Sequence, residues 1–479
     1  MSLFAIVLLP LVAAGLCWLF RANALAPALT FASCLAVLAL SWHVAQQAVI
    51  LGTVVAIPHG MAADSLSALI LLLIAFVGTT AALFSWGYMA RMHAHSDRLW
   101  RYYASLNLFL FSMLVIPLVV EPTFIWIFVE LTTLASAMLV GFENTHAALE
   151  AAWKYVVLSL MGAGVALLGF LVLFAAMQAA GGGTYTWDGL VTAAPHMPPV
   201  LLQTSFVMIL VGLGTKVGLV PLHTWLPDAH SQAPSPICAL LSGIETTAVL
   251  YVILRLLPVL KAAGLHLGPW LTAFGLVSVG VAAFLLLQVR DYKRLFAYST
   301  VEHMGIILTS AGLGTPAAHY GALYQVLSHT LTKSFCFYAA GATLLAVGTR
   351  EIASVRGLIR TAPFAGVSLL FGGLAIAGAP PFAVFLSEFS IFRAGLAGGH
   401  YTAVALLVLF IAIGFFGILR HINGMVFGRP MDPSRVFVRL PASCQATLAV
   451  AGLPVIVLGL YMPAPLHELL RLAAATLDR

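Results

Sequence analysis

Residues 212–228 read GLGTKVGLVPLHTWLPD, closing a long apolar run with a lysine, two prolines and a histidine. A charge at the centre of a bilayer costs on the order of 2.5–3.5 kcal/mol on insertion scales. A proline removes a backbone donor and interrupts the helical ladder. Lys216, Pro221, His223 and Pro227 therefore stand where a plain membrane helix would carry leucine, and the reason lies in the rest of the chain.

The chain has 479 residues, of which 62% are hydrophobic and only 8% charged, with a mean hydropathy of +1.04. A soluble protein of this size needs far more charge to cover its surface. Apolar runs of roughly 18 residues recur from end to end, so the fold class is an all-α polytopic membrane protein of about fourteen transmembrane helices. The expected spans are 2–21, 27–46, 64–88, 102–120, 122–141, 151–178 and 201–224, then 235–257, 269–288, 296–313, 318–347, 363–396, 401–420 and 441–462. The N-terminal stretch lacks a basic n-region and a small-residue cleavage site, and reads as the first membrane helix rather than a signal peptide. A short amphipathic tail at 464–479 suits a surface position.

Five cysteines stand singly, with no C-x-x-C and no Cys/His cluster, which argues against a zinc, haem or iron–sulfur site. No Walker motif and no glycine-rich nucleotide loop is present. No cofactor or metal is expected, and whether the chain counts as an enzyme depends on the company it keeps. The pI of about 9.1 has a topological explanation. With the N-terminus outside, Arg21, Arg91, Arg98, Arg101, Arg290, Lys293, Arg294, Arg350, Arg356, Arg360, Arg420, Arg429, Arg435 and Arg439 fall on inside connections. Only Arg255, Lys261, Arg393, Arg471 and Arg479 fall outside. The bias puts both termini on the outer, periplasmic side of an inner (plasma) membrane, and no nucleic-acid partner is needed.

Lys154, Lys216 and Lys333 remain within the predicted spans, as do Glu130, Glu245, Glu302 and Glu388. Intramembrane charges of this kind mark an ion or proton path by default. Lys154 opens its helix, so snorkelling to the interface is a plain alternative. Lys216 has no flank to reach. Glu130, in FIWIFVELTTLASAML, is its obvious candidate partner, and a buried lysine beside a carboxylate makes a proton-switching element. The bland alternative is an ion pair that merely holds two helices in register. His329 and Lys333, in SHTLTKSF, lie one turn apart on one helical face and suit proton relay; alone, His329 would read as a satisfied interhelical histidine. Glu302 and His303 add a polar step in AYSTVEHMG.

Pro221 and Pro227 bracket His223 in the predicted seventh helix, and Pro380-Pro381 precede Glu388 in the twelfth. Broken helices at corresponding places in two halves point to inverted repeats around an ion path, although a single proline kink is common for packing alone. The expected organisation is helices 1–3 in residues 1–101, a first inverted repeat of helices 4–8 in 102–257, and a second of helices 9–13 in 258–424. Helix 14 and the tail occupy 425–479.

The stretches GTKVGLVPLHTWLPDAHSQAPSPICALLSG, RDYKRLFAYSTVEHMG, SHTLTKSFCFYAAG and PPFAVFLSEF together resemble the antiporter-like, proton-translocating membrane subunits of complex I. The same superfamily includes multi-subunit cation/proton antiporters and membrane-bound hydrogenases. KRLFAYSTVEHMG and RHINGMVFG are most similar to component F of the hydrogenase-4 / formate hydrogenlyase type. The resemblance spans essentially the whole chain. It implies fourteen helices, two inverted five-helix repeats with helices 7 and 12 broken, a Glu130–Lys216 pair, a central relay at His329 and Lys333, and Glu388 as the terminal charged position. One departure stands out. Several relatives carry a lysine in the eighth helix, where SGIETTAVLYVILR has Thr247, with the acid Glu245 two residues earlier.

The expected function is thus a proton-translocating subunit of an energy-converting redox complex, moving protons through Glu130, Lys216, His223, Glu245, His329, Lys333 and Glu388. Its partners would be other membrane subunits and a peripheral iron–sulfur arm. A cation/proton antiporter subunit, or a proton-driven partner of an inorganic-carbon transporter, is the rival reading. A scaffold that has lost transport is the third.

Overall fold

A computed structural model describes residues 2–94, 96–429 and 439–479; Arg435, expected on an inside connection, lies outside them. The chain opens with α1 (Ser2–Phe20) and α2 (Ala26–Leu51), followed by a hairpin of β1 (Thr53–Ile57) and β2 (Met61–Asp64). Then come α3 (Ser65–Met92), α4 (Leu99–Val115), α5 (Pro122–Val140), α6 (His146–Ala179) and the short α7 (Trp187–Ala193). The middle of the chain forms α8 (Pro199–Val217), α9 (Trp225–Gln232), α10 (Ser235–Leu240), α11 (Thr246–Leu254) and α12 (Leu257–Ala262). It continues as α13 (Gly268–Leu286), α14 (Tyr292–Gly312), α15 (Pro316–Val347) and α16 (Leu358–Thr361). The last elements are α17 (Pro363–Ile376), α18 (Ala383–Ala397), α19 (Tyr401–Phe427), α20 (Ala442–Leu460) and α21 (Ala464–Leu477).

Among the described residues, eleven spans are long and apolar enough to cross a membrane. Burial sorts them. The span Ser235–Ala262 is wholly buried and α3 is 83% buried, whereas α1 is 28% buried. A helix that is apolar all round can sit in the protein core or in lipid; here α3, α10–α11 and α15 form the core and α1, α2 and α19 the periphery.

Helix ends follow local chemistry. Asp64 caps α3 by accepting the Ser67 N–H at 2.9 Å, as N-caps do. It is also gripped by both terminal nitrogens of Arg255, at 2.5 and 2.6 Å. This pair ties the hairpin to the end of α11, a long-range contact that no local pattern announces. Arg255, expected in an outside connection, is buried. Helix α4 stops at Val115, short of the expected 120, because Pro117 has no backbone N–H to continue the helical ladder.

The expected seventh helix stops early. Gly218 adopts a left-handed φ of 88°, and its N–H and that of Leu219 fold back on Gly214 O. This is the glycine stop seen at many helix ends. The chain turns through Pro221 and restarts at Trp225, whose indole donates to the freed Thr215 carbonyl at 2.7 Å. Pro227 is therefore not part of the break, contrary to the expectation from sequence. It lies in the first turn of α9, where a missing N–H is harmless. The second break separates α17 from α18, and its freed Ile376 carbonyl accepts from His303 Nε2 at 3.0 Å.

Candidate functional site

Lys216 ends the intact part of α8 and is 2% exposed. Its ammonium donates to Val129 O at 2.5 Å, to Thr132 Oγ1 at 2.6 Å and to Thr133 Oγ1. Its ionic partner is Glu245 Oε1, at 3.4 Å, not Glu130. Glu130 lies one residue beyond Val129 on the same helix, yet both its oxygens are buried without a hydrogen-bond partner among the described residues. The direct Glu130–Lys216 pair is thus replaced by Lys216–Glu245, with Glu130 nearby and unpaired.

Glu245 reaches Lys216 because residues Leu241–Glu245 form a π turn between α10 and α11. The wider turn inserts a residue and re-aims the side chains after it, a device common at functional sites. Thr132 and Tyr155 hydroxyls each donate to Glu245 Oε1 at 2.9 Å, so the acid is held from α5 and α6 as well as α8. Charge-assisted bonds of this kind are what let a buried ion pair persist. Thr247 is buried, bonds back to Gly243 O at 3.2 Å and has no ionic role.

The π turn also opens the way to α15. The Ser242 carbonyl lies 3.2 Å from His329 Nε2, which makes that nitrogen the donor and leaves Nδ1 as a buried acceptor without a partner among the described residues. The His329 ring lies against His303, with centroids 5.1 Å apart. Because His303 Nε2 donates to Ile376 O, its Nδ1 accepts from Gln325 Nε2 at 2.8 Å. Gln325 Oε1 in turn accepts the Ser387 hydroxyl, and Ser387 adjoins Glu388 on α18. Lys333, fully buried one turn beyond His329, donates to Phe296 O at 3.0 Å and to Ser299 Oγ. A polar line therefore runs from α8 through the π turn and helices α15 and α14 to α18.

Two acids lie against glycines. A Cβ on Gly414 would collide with Glu302 Oε1, and one on Gly378 would collide with Glu388 Oε2. Gly378 also has a φ of 79°, so the second break needs glycine on both counts. His223 lies in the first break, half-buried, with Nδ1 unpartnered. Lys154 is different: exposed, it pairs with Glu150 at 2.7 Å and Asp228 at 3.3 Å, and Asp228 also holds Arg294 at 2.7 Å. It clamps α6 to α9 and α14 at a surface and does not join the buried line.

Lys293, expected on an inside connection, is buried and donates to Ala233 O at 2.5 Å and Ser231 O at 3.2 Å, closing the C-terminal end of α9. A cation there also suits the helix dipole. Thr132, Thr133, Tyr155, Ser299, Gln325 and Ser387 join the line without having stood out in the sequence; their only signal is polarity within apolar runs. Among the described residues no three His, Cys, Asp or Glu side chains gather as a metal site.

The sequence profile described as "NADH:quinone oxidoreductase/Mrp antiporter, TM" matches residues 122–414, which enclose both breaks and the whole buried line. The chain belongs to this family. A second profile, "NADH-Ubiquinone oxidoreductase (complex I), chain 5 N-terminus", matches residues 51–103 of this antiporter-like subunit. It is 40% identical over 412 residues to a hydrogenase-4 component F homolog of Methylacidiphilum infernorum, covering 84% of this chain and 85% of that one. With NADH-quinone oxidoreductase subunit N of Desulforudis audaxviator it shares 30% identity over 83% of this chain and 81% of the other. Its fold matches a chain of a membrane-bound sulfane sulfur reductase, an archaeal respiratory membrane complex. The TM-score there is 0.89 at 25% identity, over 99% of this chain and 97% of that one.

Proposed function

We propose that this antiporter-like subunit moves protons within an energy-converting redox complex of the hydrogenase-4 or complex I-like kind, from Lys216–Glu245 along the buried line to Glu388. The carrying observation is His329. Its Nε2 donates to the π turn next to Glu245, and its free Nδ1 is a buried proton acceptor beside His303. A group with one nitrogen anchored and the other open can take a proton from one centre and hand it toward the next. Lys216 is the switch: a neighbour that shifts Glu245 or Glu130 changes how firmly the lysine holds its proton.

The chain is read as fourteen crossings, with inverted repeats at 102–257 and 258–424. The packing supports this, since α6 contacts both α8 and α9 much as α15 contacts both α17 and α18. The distribution of arginines supports both termini on the outer side of an inner membrane. An iron–sulfur arm is the expected electron-carrying partner, because the relatives' names belong to redox assemblies.

The test is Lys216→Ala in the complete assembly, reconstituted in liposomes with a pH-sensitive dye inside. Proton transfer is expected to be lost while the subunits still co-purify. Undiminished pumping would sink the assignment. Co-purification of cation-transport subunits without redox partners would favour the cation/proton antiporter reading.

A further inference from the structure

We propose that the groove between α1, α4 and α5, on the face carrying Arg21 and Arg101, binds an anionic phospholipid. The groove encloses about 620 Å³. Away from its mouth it is lined by the small residues Ala14 and Gly15 on α1 and Ala104 on α4, with Leu108 and Met138 beside them, and its mouth carries two arginines and two tryptophans. Among the described residues, none that lines it is acidic.

The cations at the mouth are assembled but not neutralised. Arg21 lies over Trp18 at 5.6 Å and over Trp100 at 5.5 Å, while Arg101 lies over the same Trp100 at 5.2 Å. Among the described residues neither guanidinium has an ion pair or a side-chain hydrogen bond. Two like charges against one indole repel, and an anion between them relieves that repulsion. The backbone holds them in place. Arg21 terminates α1 with a φ of 51°, a conformation glycine normally supplies. Asn23 donates to Ser96 O and accepts from Trp100 N, both at 3.0 Å, fastening the turn after α1 to the start of α4. The positive end of the α4 dipole adds to the same field.

The occupant follows from the two halves of the groove. Arginines with interfacial tryptophans recognise a phosphate at headgroup depth, and the small residues away from the mouth leave room for an acyl chain along α1. That helix is the least buried of the candidate spans, so lipid already surrounds it. Free phosphate would satisfy the mouth and leave the rest of the groove unused.

The full chain in neutral detergent is titrated separately with cardiolipin, phosphatidylcholine and inorganic phosphate, following its thermal midpoint and the lipid retained in native mass spectrometry. Cardiolipin alone is expected to raise the midpoint and remain bound. Arg21→Gln with Arg101→Gln should weaken its binding roughly fivefold per arginine removed. Gly15→Leu serves as the second variant, because nothing lies within 4 Å of a Cβ there. It should fold normally and lose cardiolipin by filling the groove. Equal binding in wild type and variants overturns the proposal, as does an equal effect of phosphatidylcholine. If inorganic phosphate alone reproduces the shift and Gly15→Leu changes nothing, the site takes phosphate and the lipid assignment fails.

Discussion

Two of this subunit's buried lysines, Lys216 and Lys333, face the same problem and solve it differently. Lys216 has a carboxylate at 3.4 Å and three oxygens from α5 around it. Lys333 has a hydroxyl and a backbone carbonyl, with no carboxylate within ion-pair distance among the described residues. The first centre is an ion pair whose two members depend on each other. The second is a lone cation held by dipoles, with the acids Glu302 and Glu388 at a remove. A pair can be switched by pulling its members apart; a lone buried amine is governed by how costly its charge is where it stands. The contrast assigns switching to the first centre and passage to the second.

Glu245→Gln should break the comparison most severely. It leaves Lys216 charged and unpaired in the core, which costs about 3–5 kcal/mol when one partner of a buried pair is removed. Unfolding in detergent should show that loss, and proton uptake by liposomes should stop. Wild-type stability would mean that the pair carries no structural load.

His329→Gln separates the centres without touching either charge. Glutamine can still donate to Ser242 O but offers no titrating nitrogen. Proton flux should fall on the order of a hundredfold, as when a positioned acid–base group is lost, with stability nearly unchanged. Flux within about twofold of wild type would show that the line does not run through this residue.

Lys333→Met is the mildest test for the fold. No carboxylate is left unpaired, and Ser299 keeps its bond to Phe296 O at 3.0 Å. Exchanging a lone buried cation for an apolar side chain of similar length should leave stability unchanged or raise it by about 1 kcal/mol, while abolishing flux. A large loss of stability would show that the second centre is also an ion pair, and the contrast would collapse.

Much of the fold is legible in one dimension. Hydrophobic runs and the scarcity of charge announce a polytopic helical protein, because lipid admits little else. Lys216, Lys333, Glu302 and Glu388 stand out because a charge in such a run needs a reason. The ends of broken helices are less clear. Proline draws attention to the right region, but Gly218 stops α8 and Pro227 only begins α9.

Composition and linear spacing thus decide which residues are anomalous, and both can be read along the chain. Which anomalies meet is decided in three dimensions. A π turn of five residues aims Glu245 at Lys216 and leaves Glu130 unpaired. His303 finds the Ile376 carbonyl 73 residues away, and Lys293, in the first turn of α14, reaches across to close α9. Partnership across helices depends on their rotation and relative depth, which one inserted residue can change without altering any periodic pattern.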